Sequence, residues 1–195
     1  TGKVENPAGS VTANLADDTG VVVQTEAATY NSGTSGHDDA QHMGGGTDGS
    51  FQWRQSDVRA ADFDLTDDTG TVRVATDGDV DAVVDDDAVT DVSDAENPDP
   101  AIDAAVDAAD DIILSGQTNR LREGVVAEGD ELTVQGTPRE DGDGITLAAD
   151  GAPLLVTDGA PEDAGADQAD GWLGRVLAGI VVLALGAGAL ALLLG

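Results

Sequence analysis

Residues 51–74, FQWRQSDVRAADFDLTDDTGTVRV, carry the pattern that decides the fold. Apolar and polar side chains alternate on both sides of a turn, and the inward positions are Phe63, Leu65, Val72 and Val74. Alternation with a period of two residues is typical of half-buried β-strands, and Asp and Gly supply the turn between them. The stretch therefore predicts a β-hairpin that directs these four side chains into a core.

Short alternating segments continue in both directions from this hairpin. Residues 1–30 read as strands, and a second Leu-x-Asp-Asp-Thr-Gly sequence at 15–20 suggests that the hairpin at 65–70 is repeated. Further strands are predicted at 121–126, 131–136, 145–147 and 154–156. Many short strands with turn signals predict a mainly β fold, arranged as a small barrel or sandwich.

One segment departs from this alternation and has helical spacing. It follows the breaker Asn-Pro-Asp-Pro, and its apolar residues are Ile102, Val106, Ala109 and Ile113. This spacing predicts a single inserted helix at about 101–113. By contrast, residues 31–50 are rich in Gly, Ser, Thr and Asp, which predicts a long mobile loop.

The C-terminal end has a different character from the rest of the chain. Residues 176–195 contain no charged or polar side chain, and a helix of that length rises about 30 Å, the thickness of a hydrocarbon core. Trp172 and Arg175 lie where interfacial anchors are found. We therefore expect a β-rich domain at 1–160, an acidic linker at 161–171 and a transmembrane helix at 172–195.

This organisation predicts a protein of the cell membrane whose first partner is the lipid bilayer. One span is visible at the C-terminal end. The chain opens on Thr1 and not on Met, so we expect that a second span or a signal segment can precede it.

The charge of the chain is strongly one-sided, with 39 acidic residues against 8 cations and a formal net charge of -31. Such self-repulsion opposes compaction, yet 40% of the residues are hydrophobic. Molar salt shortens the Debye length to about 3 Å, so the composition predicts a halophilic protein that loses its fold in dilute buffer. An acidic patch for a basic partner would cluster the acids, whereas these are spread along the chain.

The composition and motifs also exclude several function classes. Eight scattered cations cannot form the basic stripe that nucleic acid requires, and the absence of cysteine excludes disulfides and thiolate catalysis. His37 and His42 flank two aspartates, and the favoured reading is two solvated histidines in a loop and not a metal site. An EF-hand starting at Asp77 fails, because Ala82 and Ala88 stand at its glycine and glutamate positions. We expect no catalytic centre, no metal and no cofactor.

Three segments, taken in order, resemble one family. They are WRQSDVRAADFDLTDDTGTVRV at 53–74, NRLREGVVAEGDELTVQG at 119–136 and APLLVTD at 152–158. They are similar to the GIDE domain, the membrane-adjacent domain of a mitochondrial ubiquitin ligase and its prokaryotic relatives, including those of halophilic archaea. The resemblance implies a β-rich domain held between two membrane spans. Ala61 and Asp62 depart from the small-Pro pair that usually precedes Phe63.

The ligases of that family carry a RING finger beyond their second span, which needs eight Cys or His zinc ligands. This chain supplies two histidines and no cysteine. We therefore expect a non-catalytic module that binds a protein or membrane helix through an exposed sheet edge or the 31–50 loop. The alternatives are a component of a ubiquitin-like modification system, as an E3 transferase of that family, and a structural envelope protein.

Eight residues are candidates for the binding site, and each has a structural alternative. Trp53 and Phe63 can serve as core packing, and Gly70 and Gly129 can serve turn geometry. The arginines can form structural ion pairs with aspartates. The full set is Trp53, Arg54, Phe63, Asp68, Gly70, Arg120, Arg122 and Gly129.

Overall fold

The computed structural model describes residues 1–31, 50–114, 119–142 and 144–159. Residues Thr1–Gly159 form one compact unit. The predicted linker and transmembrane helix, most of the predicted loop and both histidines lie outside the described residues. Within the described ranges, no helix is long and apolar enough to cross a bilayer.

The described part of the chain forms fourteen strands and one helix, which confirms a mainly β fold with a single inserted helix. The elements are β1 Gly2–Glu5, β2 Val11–Ala13, β3 Asp18–Gly20, β4 Val22–Asn31, β5 Ser50–Ala60, β6 Phe63–Asp67, β7 Gly70–Val74, β8 Val80–Val83, β9 Ala88–Val92, α1 Pro100–Ala108, β10 Asn119–Val126, β11 Glu131–Gln135, β12 Thr137–Asp141, β13 Gly144–Ala148 and β14 Leu154–Asp158.

The larger sheet has eight strands in the order β12-β13-β7-β6-β1-β11-β14-β8. The predicted hairpin lies inside it as β6 and β7, with Phe63 opposite Val74 and Leu65 opposite Val72. Phe63 and Val74 are fully buried and Leu65 is nearly so, because alternate side chains of a strand point to the same face. The inward positions predicted from the sequence are thus confirmed, with Val72 half-buried at their edge.

The second sheet has four strands in the order β5-β4-β10-β9, all antiparallel. Helix α1 covers one of its faces, where Ile102, Ala109 and Ile112 pack against Ala27 of β4 and Leu121 of β10. We call this side the helix-covered face and the opposite side the open face. The hairpin β2–β3 forms a separate two-stranded sheet.

Helix α1 begins as its sequence predicts but ends early. Asp99 caps it by accepting a hydrogen bond from the Ala101 N–H at 3.0 Å, and a proline fills the first turn, where no N–H is needed. The predicted end was near Ile113, whereas the helix ends at Ala108. Tertiary partners replace the last turn, because Gln55 of β5 accepts the N–H of Ile113 at 2.9 Å. Asp57 likewise accepts the N–H of Asp110.

A fully buried carboxylate, Glu123 of β10, joins several elements beneath the helix-covered face. One of its oxygens accepts the Leu15 N–H at 2.6 Å, and the other accepts the Thr25 hydroxyl at 3.1 Å and the Arg59 guanidinium at 3.3 Å. A buried charge is costly unless it is paired and hydrogen-bonded, and here both conditions are met. The carboxylate thereby ties the β2–β3 turn to β4, β5 and β10.

The two Leu-x-Asp-Asp-Thr-Gly sequences both lie in hairpins, but in different positions. In the first, Asp17 ends the turn with a φ of +54° and Asp18–Gly20 forms β3. In the second, Asp67 ends β6 and Gly70 begins β7, so the turn lies within the motif. The two copies share turn chemistry and not a structural register.

Segment 83–87 crosses the open face between β8 and β9. The backbone N–H of Val84 donates to the Gln24 side chain at 2.9 Å, and Gly124 of β10 lies directly below. A Cβ atom on Gly124 would stand 2.3 Å from the Asp85 carbonyl oxygen and 2.9 Å from a Val84 methyl group. Glycine is therefore required here so that the crossing segment can approach the sheet.

We expect Gly124→Ala to destabilise the protein by about 2 kcal/mol, because the added methyl group forces the crossing segment away from β10. Chemical unfolding in molar salt measures this change. Gly9→Ala is the control, since its Cβ would meet only a methyl group at 3.7 Å. Equal stabilities of the two variants would contradict the packing described here.

The carboxyl of Asp57 predicts a pH effect of definite sign. Burial raises its pKa above the ordinary value, outweighing the Asp110 N–H and Arg59, which lower it. A carboxyl whose pKa is higher in the folded state destabilises the fold when ionised, and this penalty disappears below the unfolded-state pKa. We expect Asp57→Asn to raise the melting temperature at about pH 7 and to have little effect near pH 4.

Asp67 supplies the control of opposite sign. The hydroxyl and N–H of Thr69 lower the pKa of Asp67, so its ionised form stabilises the fold until the pH falls through the folded-state value. We expect Asp67→Asn to lower the melting temperature at neutral pH, with the loss persisting to about pH 4. Thermal unfolding across this range tests both, and a lower melting temperature for Asp57→Asn at neutral pH would refute the first expectation.

Candidate functional site

The four-stranded sheet has a balance of charge that the rest of the chain lacks. Its strands carry four arginines and four acids, which are Arg54, Arg59, Arg120 and Arg122 with Glu26, Asp57, Asp91 and Glu123. Half of the chain's 8 cations are thus on these strands, and the rest of the chain has 4 cations against 35 of its 39 acids. Three of the chain's five aromatic residues also lie on these strands.

The open face gathers most of these groups, because alternate residues of paired strands point to one side. Trp53 of β5 stands opposite Ala28 of β4, which stands opposite Arg120 of β10 and, beyond it, Asp91 of β9. The next row along the strands brings Glu26, Arg122 and Val89 together. The side chains that form the open face are Glu26, Ala28, Tyr30, Phe51, Trp53, Val89, Asp91, Arg120 and Arg122.

Arg122 occupies the centre of this surface. Its guanidinium lies 4.1 Å from the centroid of the Trp53 ring and is paired with Glu26 on β4. It also pairs with Asp86 of the crossing segment at 3.0 Å. A cation over an indole face is attracted by the negative potential of the ring, so these contacts join β5, β4, β10 and the crossing segment.

Arg120 repeats the arrangement one row away. Its guanidinium lies 4.1 Å from the Phe51 ring centroid and donates two hydrogen bonds to Asp91, at 2.6 and 3.1 Å. Phe51 in turn meets Tyr30 edge to face, with ring centroids 5.4 Å apart. The hydrogen bond from Arg120 is the main reason that the pKa of Asp91 is lowered.

A small residue makes both stacks possible. Ala28 is 1% exposed and lies on the central strand between the arginines of β10 and the aromatic rings of β5. Its methyl group leaves room for the long arginine side chains to reach across β4 to the rings of β5. The result is a surface of flat, stacked groups from which Trp53 remains 38% and Val89 54% exposed.

Arg54 differs from the other arginines of the sheet. It lies at a β-bulge, where the pairing of β4 and β5 passes from Gln55 with Ala27 directly to Trp53 with Ala28. Its side chain is exposed and donates only to the Gln52 side-chain oxygen, at 3.1 Å from Nε. Among the arginines that the structure describes, Arg54 alone forms no ion pair.

The structure places the predicted candidates in three different environments. Trp53, Arg120 and Arg122 meet on the open face, with Arg54 at its edge. Phe63 is fully buried in the core of the larger sheet, so it serves as core packing and is not available for binding. The others lie at turns: Asp68 between β6 and β7, Gly70 at the first position of β7, and Gly129 between β10 and β11.

The two glycines have the geometry expected of their turns. Gly70 has a φ of +147° and Gly129 a φ of +96°, and a Cβ at either would have nothing within 4 Å. The backbone conformation therefore accounts for glycine at both positions. The predicted anchors Trp172 and Arg175 lie outside the described residues.

Several members of the open face were not among the candidates predicted from the sequence. These are Glu26, Ala28, Tyr30, Phe51, Val89 and Asp91. Asp86 of the crossing segment, which pairs with Arg122, was not among the candidates either. The aromatic alternation of Phe51 and Trp53 was visible in the sequence, but the side of the sheet that they share with Arg120 depends on strand order. Only the pairing of β4 with β5 and β10 brings these groups together.

A double-mutant cycle tests the stacked arrangement. We expect Trp53→Ala and Arg122→Gln to show a coupling free energy of about 0.5–1 kcal/mol, because each removes the same cation–π contact. Chemical unfolding in molar salt measures the single and double variants. Trp53→Ala with Arg139→Gln is the control, since Arg139 lies in the other sheet and pairs with Asp77. Additive effects for Trp53 with Arg122 would show that the stack contributes nothing.

No protein-family model matches the chain, and comparisons with curated proteins and with solved structures give no significant match. The resemblance to the GIDE domain therefore stays a prediction made from the three sequence segments.

Proposed function

We propose that the chain is a membrane-anchored, non-catalytic module that binds another protein through the open face of its four-stranded sheet. The observation that carries the proposal is the exposure of Trp53 and Val89 beside arginines that are stacked on aromatic rings and paired with carboxylates. Elsewhere, acids outnumber cations by 35 to 4 (39 − 4 against 8 − 4). A surface of that kind repels other acidic proteins, whereas the strands of the four-stranded sheet carry equal numbers of arginines and acids.

The chemistry of the open face agrees with protein recognition. Trp, Tyr and Arg are enriched among the residues that dominate binding free energy at protein interfaces. Here the arginines are already oriented by carboxylates and rings, so little side-chain freedom is lost when a partner covers them. An exposed indole next to an exposed valine adds apolar area that a partner can bury.

The rest of the proposal concerns architecture and location. One apolar cluster contains Val22 and Val126 of the four-stranded sheet together with Phe63, Leu132 and Leu154 of the larger sheet. This shared core supports a β-sandwich arrangement, whereas the GIDE type rests on the resemblance of the three sequence segments. The apolar segment 176–195 supports a terminal transmembrane helix, and the net charge of -31 supports a halophilic cell.

Site-specific photo-crosslinking in native membranes tests this function. A photoreactive residue at Val89 should form one discrete protein adduct in the membrane fraction, and Trp53→Ala should reduce its yield several-fold by removing the adjacent anchor. Ile145 of the larger sheet is the matched control, because the two side chains are similarly exposed, at 54% and 59%.

Equal adducts at the two positions would show that the open face has no special role. A folded chain without any adduct at Val89, or a chain recovered entirely outside the membrane fraction, would overturn the proposal.

A further inference from the structure

Strand β5 is an edge of the four-stranded sheet, and it is the longest strand described, with 11 residues. Within the described ranges, its outer side pairs with no other strand. The side chains of Gln55 and Asp57 bind the segment that follows the helix, and within the described ranges the backbone of residues 51–54 forms no hydrogen bond on that outer side. An open edge of this kind is a template for an additional strand.

The chain protects this edge only in part. A β-bulge interrupts β5 at Arg54, and such bulges re-aim a side chain at functional positions. Among the described residues this arginine has no carboxylate partner, in a chain where acids outnumber cations almost five to one (39 to 8). The other five described arginines each have an acidic partner. Leaving this one unpaired is therefore unusual for this chain.

The charge of β5 agrees with the position of this arginine. The strand carries Arg54 and Arg59 against Asp57, a formal charge of +1. Arg59 is engaged by Glu123 below the sheet, so Arg54 is the cation available at the edge. Next to it, Trp53 offers an exposed aromatic surface whose outer part Arg122 leaves free.

We propose that the edge of β5 binds an extended acidic segment of the partner protein, which adds a fifth strand to the sheet. The partner's backbone pairs with the outer side of β5, and one of its Asp or Glu carboxylates pairs with Arg54. A neighbouring apolar side chain of the segment covers Trp53. This inference rests on the proposed function and specifies the chemistry of its partner.

The charges of the molecule and the open backbone of β5 favour this occupant over two others. A second copy would present the same Arg54 and a further formal charge of -31, so its pairing across the edge gains less than an acidic strand does. An anionic bilayer surface has no extended backbone with which to pair the edge of β5. An acidic strand needs only one favourable contact with Arg54 and the backbone pairing that any sequence can make.

Selection from a displayed library of random 11-residue peptides, the length of β5, tests the inference with the full chain in detergent and molar salt. We expect the enriched peptides to be β-prone and to carry Asp or Glu at one fixed position. Arg54→Gln should weaken binding of the enriched peptides about tenfold, since a hydrogen bond to a charged group is lost. Replacing the fixed acid by its amide should have the same effect.

Arg139→Gln is the matched control, because Arg139 is an exposed arginine of the larger sheet. It should leave peptide binding unchanged. Enriched peptides without an acidic position, binding that Arg54→Gln does not weaken, an absence of enrichment, or a dimer that blocks the edge would each overturn the inference. The proposed function is tested separately, by whether the photoreactive residue at Val89 forms an adduct.

Discussion

The register of β10 between β4 and β9 is the constraint on which the rest of the structure depends. Leu121 and Glu123 face the helix, whereas Arg120 and Arg122 face the opposite side. A slip of one residue would exchange the two faces, burying two arginines beneath α1 and exposing a carboxylate that now accepts hydrogen bonds from the β2–β3 turn, from β4 and from β5. One face must bury Leu121 and Glu123 and the other must expose Arg120 and Arg122, so this strand has only one acceptable register.

The few cations of this chain are used mainly to hold strands together. Arg59 reaches Glu123 beneath the sheet, and Arg120 and Arg122 bridge β5, β10 and β9 above it. Contacts at this range persist in concentrated salt better than interactions between distant surface charges, which are screened beyond about 3 Å at molar ionic strength. The strands of the four-stranded sheet, whose formal charges sum to zero, can therefore keep their ion pairs in molar salt.

The open face and the edge of β5 beside it have complementary properties for binding. The open face is rigid, because its arginines are fixed by both rings and carboxylates. Within the described residues, the edge has a backbone that pairs with no further strand and an arginine that has no acidic partner. A rigid aromatic surface next to an open strand edge offers a partner both apolar area and directional hydrogen bonds.

The sequence alone determined the strand content, the hairpin at β6 and β7 and the start of the helix, since alternation, turn residues and capping are local signals. It also singled out Trp53, Arg120 and Arg122, although not as neighbours. The end of the helix at Ala108 was decided by Gln55 and Asp57, which are distant in sequence. Only the tertiary structure set the strand order that brings Trp53 beneath Arg122 and buries Glu123, because pairing between β4, β5 and β10 spans about a hundred residues and leaves no local pattern.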